Sequence, residues 1–470
     1  MTGDGAVDGL PPAQDVVEAA LRAAGDDCLV IVEESSEAEV RFANNTTTTN
    51  GVRRNRRVTV VRFADTGSGT AVGIAGRGGG VDVADLAAAA ARDAASSPAA
   101  PDAFPLVAPG PSAGTGDGFD EPAGRTDLSV MTRVLAGLAG AFDRAQAADR
   151  VLAGFAEHRV DTVYLGSSTG LRLRHPQSTG AFHLVGRSRD GANSAWVGRG
   201  TEDFADVRVD ALERELVRRL GWGERRRQLD AGRYEVVLPP EAVADLMIGL
   251  VESAGRQDAE EGRTVFSLPG GRTRVGERLS SLPFTLRSDP GQAGLRCSPF
   301  VVATGSSSDR SVFDNGLRLA PTRWVEDGRL ATLRTHRAGA ARSGVEVAPP
   351  IGNLVLELDG AGGSVDDLVA RTERGLLLTC LWYIREVDAA TLLLTGLTRD
   401  GVYLVEDGAV VGVVNNFRFN ESPVDLLGRA SEAGSTVRSL GREYGEWLNR
   451  TATPPLRVPD FNMSSTSAAS

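Results

Sequence analysis

Lysine is absent from this chain: all 51 basic residues among its 470 are arginine. With alanine, glycine and valine abundant, this is the usage of a GC-rich genome, and it carries little functional information. Cysteine and histidine are scarce, at three and four residues. Cys28, Cys297 and Cys380 are too few and too scattered for a disulfide framework or a paired-cysteine metal knuckle. A reducing cytoplasm is the expected compartment. Residues 1–15 lack the basic start and apolar core of a signal peptide, and the longest apolar run, residues 375–384, is about half the ~20 residues a membrane span requires. No membrane role is expected. Positive charge is also in deficit: the formal net charge of −11 argues against general affinity for nucleic-acid phosphates.

Further chemistries fall with their missing residues. Residues 76–80 are glycine-rich but lack the lysine and helix start of a phosphate loop. Residues 166–168 and 305–308 are Gly-Ser turns without the strand, elbow and helix of a serine nucleophile. Cys380 sits in a continuous apolar strand, where a thiol is usually inert, and Cys297 has no adjacent histidine. His175 and His183 flank a turn-like segment and could face each other across a hairpin. A metal there needs a third ligand, and none is spaced for it. His158 and His336 are isolated. Two basic runs, Arg53, Arg54, Arg56 and Arg57, then Arg225, Arg226 and Arg227, read as solvated faces, or as a contact for an acidic partner. Acidic residues 258–261 read as a docking edge or a solvated turn.

What is present is ordinary for a soluble globular protein, 41% hydrophobic and 24% charged, and the length suggests about two or three domains. Residues 1–14 read as disordered, with Asp15 capping a helix through Ala24. Strands follow at 28–33, 38–44, 58–65 and 70–75, with an Asn-rich loop at 44–51, and a helix at 83–95 closes an N-terminal domain, 15–95. Residues 96–124, rich in Pro, Gly, Ala and Ser, read as a linker. A middle segment, 125–230, holds a helix at 128–148, strands at 151–158, 162–165, 171–175, 180–187 and 195–198, and a helix at 208–220. Residues 231–462 form the largest domain, strand-rich, with strands at 294–304, 324–336 and 354–358 and a run of strands from 376 to 420. Residues 463–470 read as a frayed tail.

The stretch from Arg233 to Ser267 decides the functional reading. Residues 234–238 are a short apolar strand, and Pro239 and Pro240 end it and start a helix. Val243, Leu246, Met247, Leu250 and Val251 recur at the steps of a buried helical face. Gly262-Arg263-Thr264-Val265-Phe266-Ser267 follows. This pattern resembles the core of the TldD/PmbA (TldE) family of metallopeptidase-related proteins. So do RFANN and RRVTVVRF near the N-terminus, and Thr398-Arg399-Asp400-Gly401, Glu406-Asp407-Gly408 and Asn415-Asn416 near the C-terminus.

The resemblance implies an α+β fold: an N-terminal helix-plus-antiparallel-meander domain, and a large, mostly antiparallel C-terminal β domain with a buried helix at the metal-site position. In the family's catalytic subunit that helix carries HExxxH. Counted back without gaps from Val265-Phe266-Ser267, the first His falls on Met247, the Glu on Ile248 and the second His on Glu252. A thioether, a butyl group and one carboxylate cannot replace two imidazoles and a general base. The family's further zinc-ligating Cys near the C-terminus is missing too, since residues 450–470 contain neither Cys nor His. The expectation is a non-catalytic TldE/PmbA-like subunit, with no catalytic, metal or cofactor residue of its own. A TldD-like partner carrying HExxxH would supply the zinc, and an extended peptide would be the substrate. The alternatives are a stand-alone metallopeptidase with unrecognised ligands, and a peptide-binding or maturation factor without proteolysis.

Overall fold

Cys28, Leu29, Val30, Ile31 and Val32 are all buried, although successive residues of a strand face opposite ways, so both faces of the sheet must be covered here. A computed structural model describes residues 9–116 and 118–467. In it α1 (Ala13–Ala24) leads into β1 (Cys28–Ala43), β2 (Thr46–Asp65) and β3 (Thr70–Gly78), and α2 (Val83–Ser96) follows. Val30 and Val32 share a core with Val17, Ala20 and Leu86 of the two helices. Leu29 and Ile31 face the other way, into a core with Phe300, Phe313 and Leu317. That second core explains a difference from the sequence reading. Residues 294–304 form no strand, only an isolated bridge from Phe300 to Arg318, because they lie as an irregular cover over the first sheet.

After a short 3-10 turn, α3 (Thr132–Ala147), β4 (Arg150–Ser167), β5 (Arg172–Ser188), β6 (Ser194–Thr201) and α4 (Val209–Trp222) follow. β4 pairs with β1, giving one six-stranded sheet in the order β3-β2-β1-β4-β5-β6. Three strands thus come from each side of residues 96–124. That segment has little regular structure but is tied down by bridges from Ala99 to Ala71 and from Ala113 to Leu317. Val107 enters the core beneath the sheet.

The strands run longer than apolar alternation suggests. The expected strands at 28–33 and 38–44 merge into one, Cys28–Ala43, and the Asn-rich loop shrinks to a turn at Asn44 and Asn45, both at positive φ. Charge replaces apolar burial as the pairing force: Glu33, Glu34 and Glu37 of β1 stand opposite Arg57, Arg56 and Arg53 of β2. The strands at 151–158 and 162–165 likewise merge, as do those at 171–175 and 180–187. Pro176 is tolerated inside β5 because β6 pairs only with residues 180–187, leaving Pro176 on an edge. α1 begins at Ala13 after Pro12, so Ala13 and Gln14 are helical and Asp15 lies in the first turn rather than capping. Residues 1–8 of the expected disordered N-terminus lie outside the described residues.

The rest of the described chain builds two larger sheets around one helix, and a two-stranded ribbon of Ser267–Leu268 and Arg272–Thr273. β7 (Arg226–Arg227) and β8 (Gly232–Leu238) precede α5 (Pro240–Glu252). β8 is central in a large sheet, between Leu456–Ser467 and Arg374–Leu378, whose outer strands are Leu381–Asp388 and β7. A six-stranded sheet contains Phe284–Ser288, Leu354–Leu358 and Thr451–Thr453. Val243, Leu246, Met247 and Leu250 of α5 share one core with Leu286, Trp324 and Leu354 of that sheet and with Leu376, Phe419 and Val458 of the large one. The fold is α+β with mainly antiparallel sheets. Residues 324–336 contribute only Thr322–Glu326 and Arg329–Leu330, joined by a hairpin turn at Asp327-Gly328, and His336 instead caps the helix Arg337–Ser343. The expected frayed tail is strand as far as Ser467, because Phe461 and Met463 are fully buried and residues 463–467 pair with Asn416–Glu421. Residues 468–470 lie outside the described residues.

A Cβ at Gly73 would fall 2.1 Å from the Ala90 carbonyl and the Ala94 nitrogen, so α2 can lie on β3 only over a glycine. Gly73→Ala is expected to lower stability by about 1–3 kcal/mol, read as a lower urea midpoint; an unchanged midpoint would contradict this close approach.

Candidate functional site

α5 starts because Pro239 and Pro240 suit a helix entrance, and its first turn carries Glu241. Its N-terminus is pinned by Thr453, whose hydroxyl donates to the Pro240 carbonyl at 2.7 Å. At its C-terminal end the helix forms one wall of a cavity of about 420 Å³, lined by Ile248, Val251, Glu252, Asp309, Arg334 and Trp447 among others. Ile248 and Glu252, four residues apart, share that face. Met247 is not on it: it is fully buried in the core between the sheets. The three positions singled out in the sequence are therefore not brought together.

The cavity's carboxylates, Glu252, Asp309 and Asp314, are already paired with arginine. Arg334 places its guanidinium between two carboxylates, with Nη1 2.9 Å from Glu252 Oε1 and Nη2 2.9 Å from Asp309 Oδ2. Nη2 also donates to the Glu252 carbonyl at 2.5 Å. Asp309 accepts a further bond from Ser307 Oγ at 2.8 Å. The donor set fits zinc poorly: it offers carboxylates already paired with arginine and no imidazole or thiolate. Among the described residues no group of three or more His, Cys, Asp or Glu is placed to hold a metal.

The four histidines are committed elsewhere. His175 and His183 lie eight residues apart on one extended strand, β5, rather than across a hairpin, about 26 Å at ~3.3 Å per residue. His175 Nε2 is 3.1 Å from Gln177 Oε1. His183 accepts from Trp196 Nε1 at 3.3 Å and stacks on Phe155, and its burial pushes the imidazole down to about 3. His158 lies between Thr126 and the Glu202 carbonyl. His336 accepts from Gly339 N. Burial pushes the Cys28 and Cys297 thiols up to about 11 and Cys380 higher still, so all three are poor nucleophiles. The Ser306 and Ser311 hydroxyls both donate to Asp102. Of the basic run, Arg53 and Arg56 pair with Glu37 and Glu34. In the acidic run, Asp258 and Glu261 pair with Arg263.

One functional element escaped the sequence reading. Asp245, one turn before Ile248, is fully buried and accepts the backbone N–H groups of Arg442 (2.9 Å), Glu443 (3.1 Å) and Tyr444 (2.9 Å). A Cβ at Gly441 would meet Asp245 Oδ1 at 2.4 Å, and one at Gly445 would meet the Gly441 carbonyl at 2.2 Å, so both glycines are required for the loop to wrap the carboxylate. The signal was there: a lone aspartate in an apolar helix, and a Gly-x-x-x-Gly loop far along the chain. This loop makes the cavity's lip. Tyr444 stacks on Trp447 at 5.3 Å, and Glu443 accepts from Tyr383 N and pairs with Arg385 on the sheet-edge strand Leu381–Asp388.

The fold and site define an α+β protein whose central helix, enclosed by two sheets, presents Ile248 and an arginine-paired Glu252 to the cavity. The family model for the PmbA/TldA metallopeptidase C-terminal domain matches residues 231–465, half of the sequence. The chain belongs to the PmbA/TldD family. In fold it is similar to TldE from Thermococcus kodakarensis, with a TM-score of 0.77, 16% identity, and 96% of this chain and 99% of that one covered. It is also similar to two proteins described as candidate modulators of DNA gyrase. The one from Thermotoga maritima gives a TM-score of 0.73 at 14% identity, with 96% and 98% covered. The one from Bacteroides thetaiotaomicron gives 0.71 at 15%, with the same coverage. No curated protein sequence matches the chain.

Burial pushes the Asp245 carboxyl up to about 7, against the three N–H groups that favour its ionised form. Unfolded, it titrates near ~3.9. Between these values the native state holds a proton that the unfolded state has released, so this contribution is fully present below ~pH 4 and is lost as pH rises toward 7. Relative to Asp245→Asn, the wild type should lose stability across that window in urea unfolding; a flat difference from about pH 4 to 8 would contradict it. Asp245→Ala, which strands the three loop N–H groups, should cost about 2–4 kcal/mol near pH 4 and less as pH rises toward 7.

Proposed function

We propose that this chain is the non-catalytic, TldE-like subunit of a heteromeric zinc metallopeptidase, with the HExxxH motif, the zinc and the general base supplied by a TldD-like partner. The observation that carries the reading is the face of α5. Where the catalytic relatives need an imidazole, Glu252 is joined to Arg334 at 2.9 Å, and Met247 is buried in the core. The fold likeness to a chain named TldE accords with it. Three unpaired, buried cysteines accord with a cytoplasmic setting. No helix among the described residues is long and apolar enough to cross a membrane.

In this reading the substrate is an extended peptide. The cavity beside α5 and the outer strand Leu381–Asp388 lie on two sides of the loop that Asp245 holds. Tyr383 and Val387 on that strand are exposed, and the strand is the outermost of its sheet, so that beyond the Tyr383 N–H held by Glu443 a peptide backbone can add to it. Main-chain pairing of this kind reads length and extension more than sequence, and it excludes folded proteins.

Reconstitution tests the assignment. The chain mixed with the HExxxH-bearing paralogue from the same genome should cleave an unfolded peptide, and neither should do so as well alone. Met247→Leu and Glu252→Gln in this chain should leave the activity of the pair within about twofold, since neither contacts the reacting atoms. Gly396→Val, whose side chain would meet the Phe419 ring at about 2.5 Å, should disrupt the large sheet and abolish assembly and activity together. Loss of activity in Glu252→Gln with the complex intact would sink the reading.

A further inference from the structure

A second cleft lies away from α5, between the end of α4, the turn joining β5 to β6, and the strands Val402–Glu406 and Ala409–Val414. Its volume is about 510 Å³, within the roughly 300–1,000 Å³ usual for small-molecule sites. Four arginines line it, Arg187, Arg219, Arg226 and Arg227, against a single aspartate, Asp400, in a chain whose net charge is −11. Asp400 is buried, 3.6 Å from Arg399. Arg219 is oriented by Glu215 and the Trp196 carbonyl, and Arg226 by Asn193 Oδ1 at 3.0 Å. Among the described residues no carboxylate lies within ion-pair distance of Arg187, Arg226 or Arg227. Neighbouring Asp190 is occupied by Ser188 Oγ (2.6 Å) and Ala192 N (3.0 Å).

An independent observation points into the same cleft. Tyr403 lines it, is 1% exposed, and its hydroxyl has no hydrogen-bond partner among the described residues. A buried hydroxyl without a partner is costly and rare in folded proteins. Trp222 lies edge-on to the Tyr403 ring at 4.9 Å and holds it in place. Val402, Val413 and Val414 give the wall an apolar stretch, and Ser194, Gln228, Asn415 and Asn416 add neutral polar groups.

We propose that this cleft binds a small ligand through an oxyanion, a phosphate or a carboxylate, with Arg226 and Arg227 at its mouth supplying charge and the Tyr403 hydroxyl donating from its floor. Guanidinium groups match the geometry of both anions. The site is independent of the α5 cavity and of whether the chain has a peptidase partner.

Calorimetric titration of the full chain in chloride buffer tests it, with inorganic phosphate, N-acetyl-dialanine as the free acid, and the same dipeptide as its amide. Saturable one-to-one binding of phosphate or of the free acid, but not of the amide, is expected. Phosphate alone binding identifies a phosphate-bearing ligand, and the free acid alone a carboxylate; either supports the site. Tyr403→Phe fills the same space and Arg227→Gln lies on the surface, so both should fold, and each should weaken binding about tenfold. No saturable binding of either anion would overturn the proposal. So would binding that Tyr403→Phe leaves unchanged, which would reduce the cleft to diffuse surface charge.

Discussion

Helix α5 has almost no solvent face: ten of its 13 residues are buried. A helix with a single apolar stripe can lie on one sheet, but one buried this fully must be enclosed. The C-terminal architecture follows, with a large sheet and a smaller one contributing to one core around α5. The same constraint makes Asp245 consequential. A carboxylate inside such a helix needs partners, and the backbone N–H groups of residues 442–444 provide them. The loop so held sets the lip of the cavity and links it to the edge of the large sheet, so a packing requirement of the core shapes the functional surface.

Arginine does the electrostatic work in this protein, and it does so by its forked geometry as much as by its charge. On β2 it meets a row of glutamates across the strand pair, which lets a polar segment extend as strand well beyond the apolar core. Beside α5, Arg334 joins Glu252 to Asp309, so the cavity wall carries paired charges. In the cleft below α4, Arg187, Arg226 and Arg227 have no carboxylate partner among the described residues, and the buried Tyr403 hydroxyl has no hydrogen-bond partner there. The carboxylates beside α5 are matched by arginine, whereas the second cleft holds more arginine than carboxylate, four against one.

The fold was legible where periodicity and turn chemistry agree. Asp327-Gly328 and Asp407-Gly408 both adopt positive φ in hairpins, as their sequences require. α5 and the helix at Pro423–Arg429 begin at their prolines. It was less legible where long-range partners override local pattern. Residues 46–57 are strand because of glutamates on β1, residues 294–304 are irregular because they cover another sheet, and residues 463–467 are ordered by pairing with Asn416–Glu421. Met247, Ile248 and Glu252 on α5 could be counted out from sequence, but their geometry could not: only the fold shows Met247 turned into the core and Glu252 bound to Arg334. The Asp245 loop was beyond local reading, since its two halves lie almost 200 residues apart.

If α5 serves as scaffold rather than as metal ligand, as proposed, zinc content measured on the isolated chain and on its complex with the HExxxH-bearing paralogue, after equilibration with equimolar zinc, is the most direct test. Zinc is expected only in the complex, about one per pair, and unchanged by Glu252→Gln in this chain. One zinc per isolated chain, lost on Glu252→Gln, would contradict it.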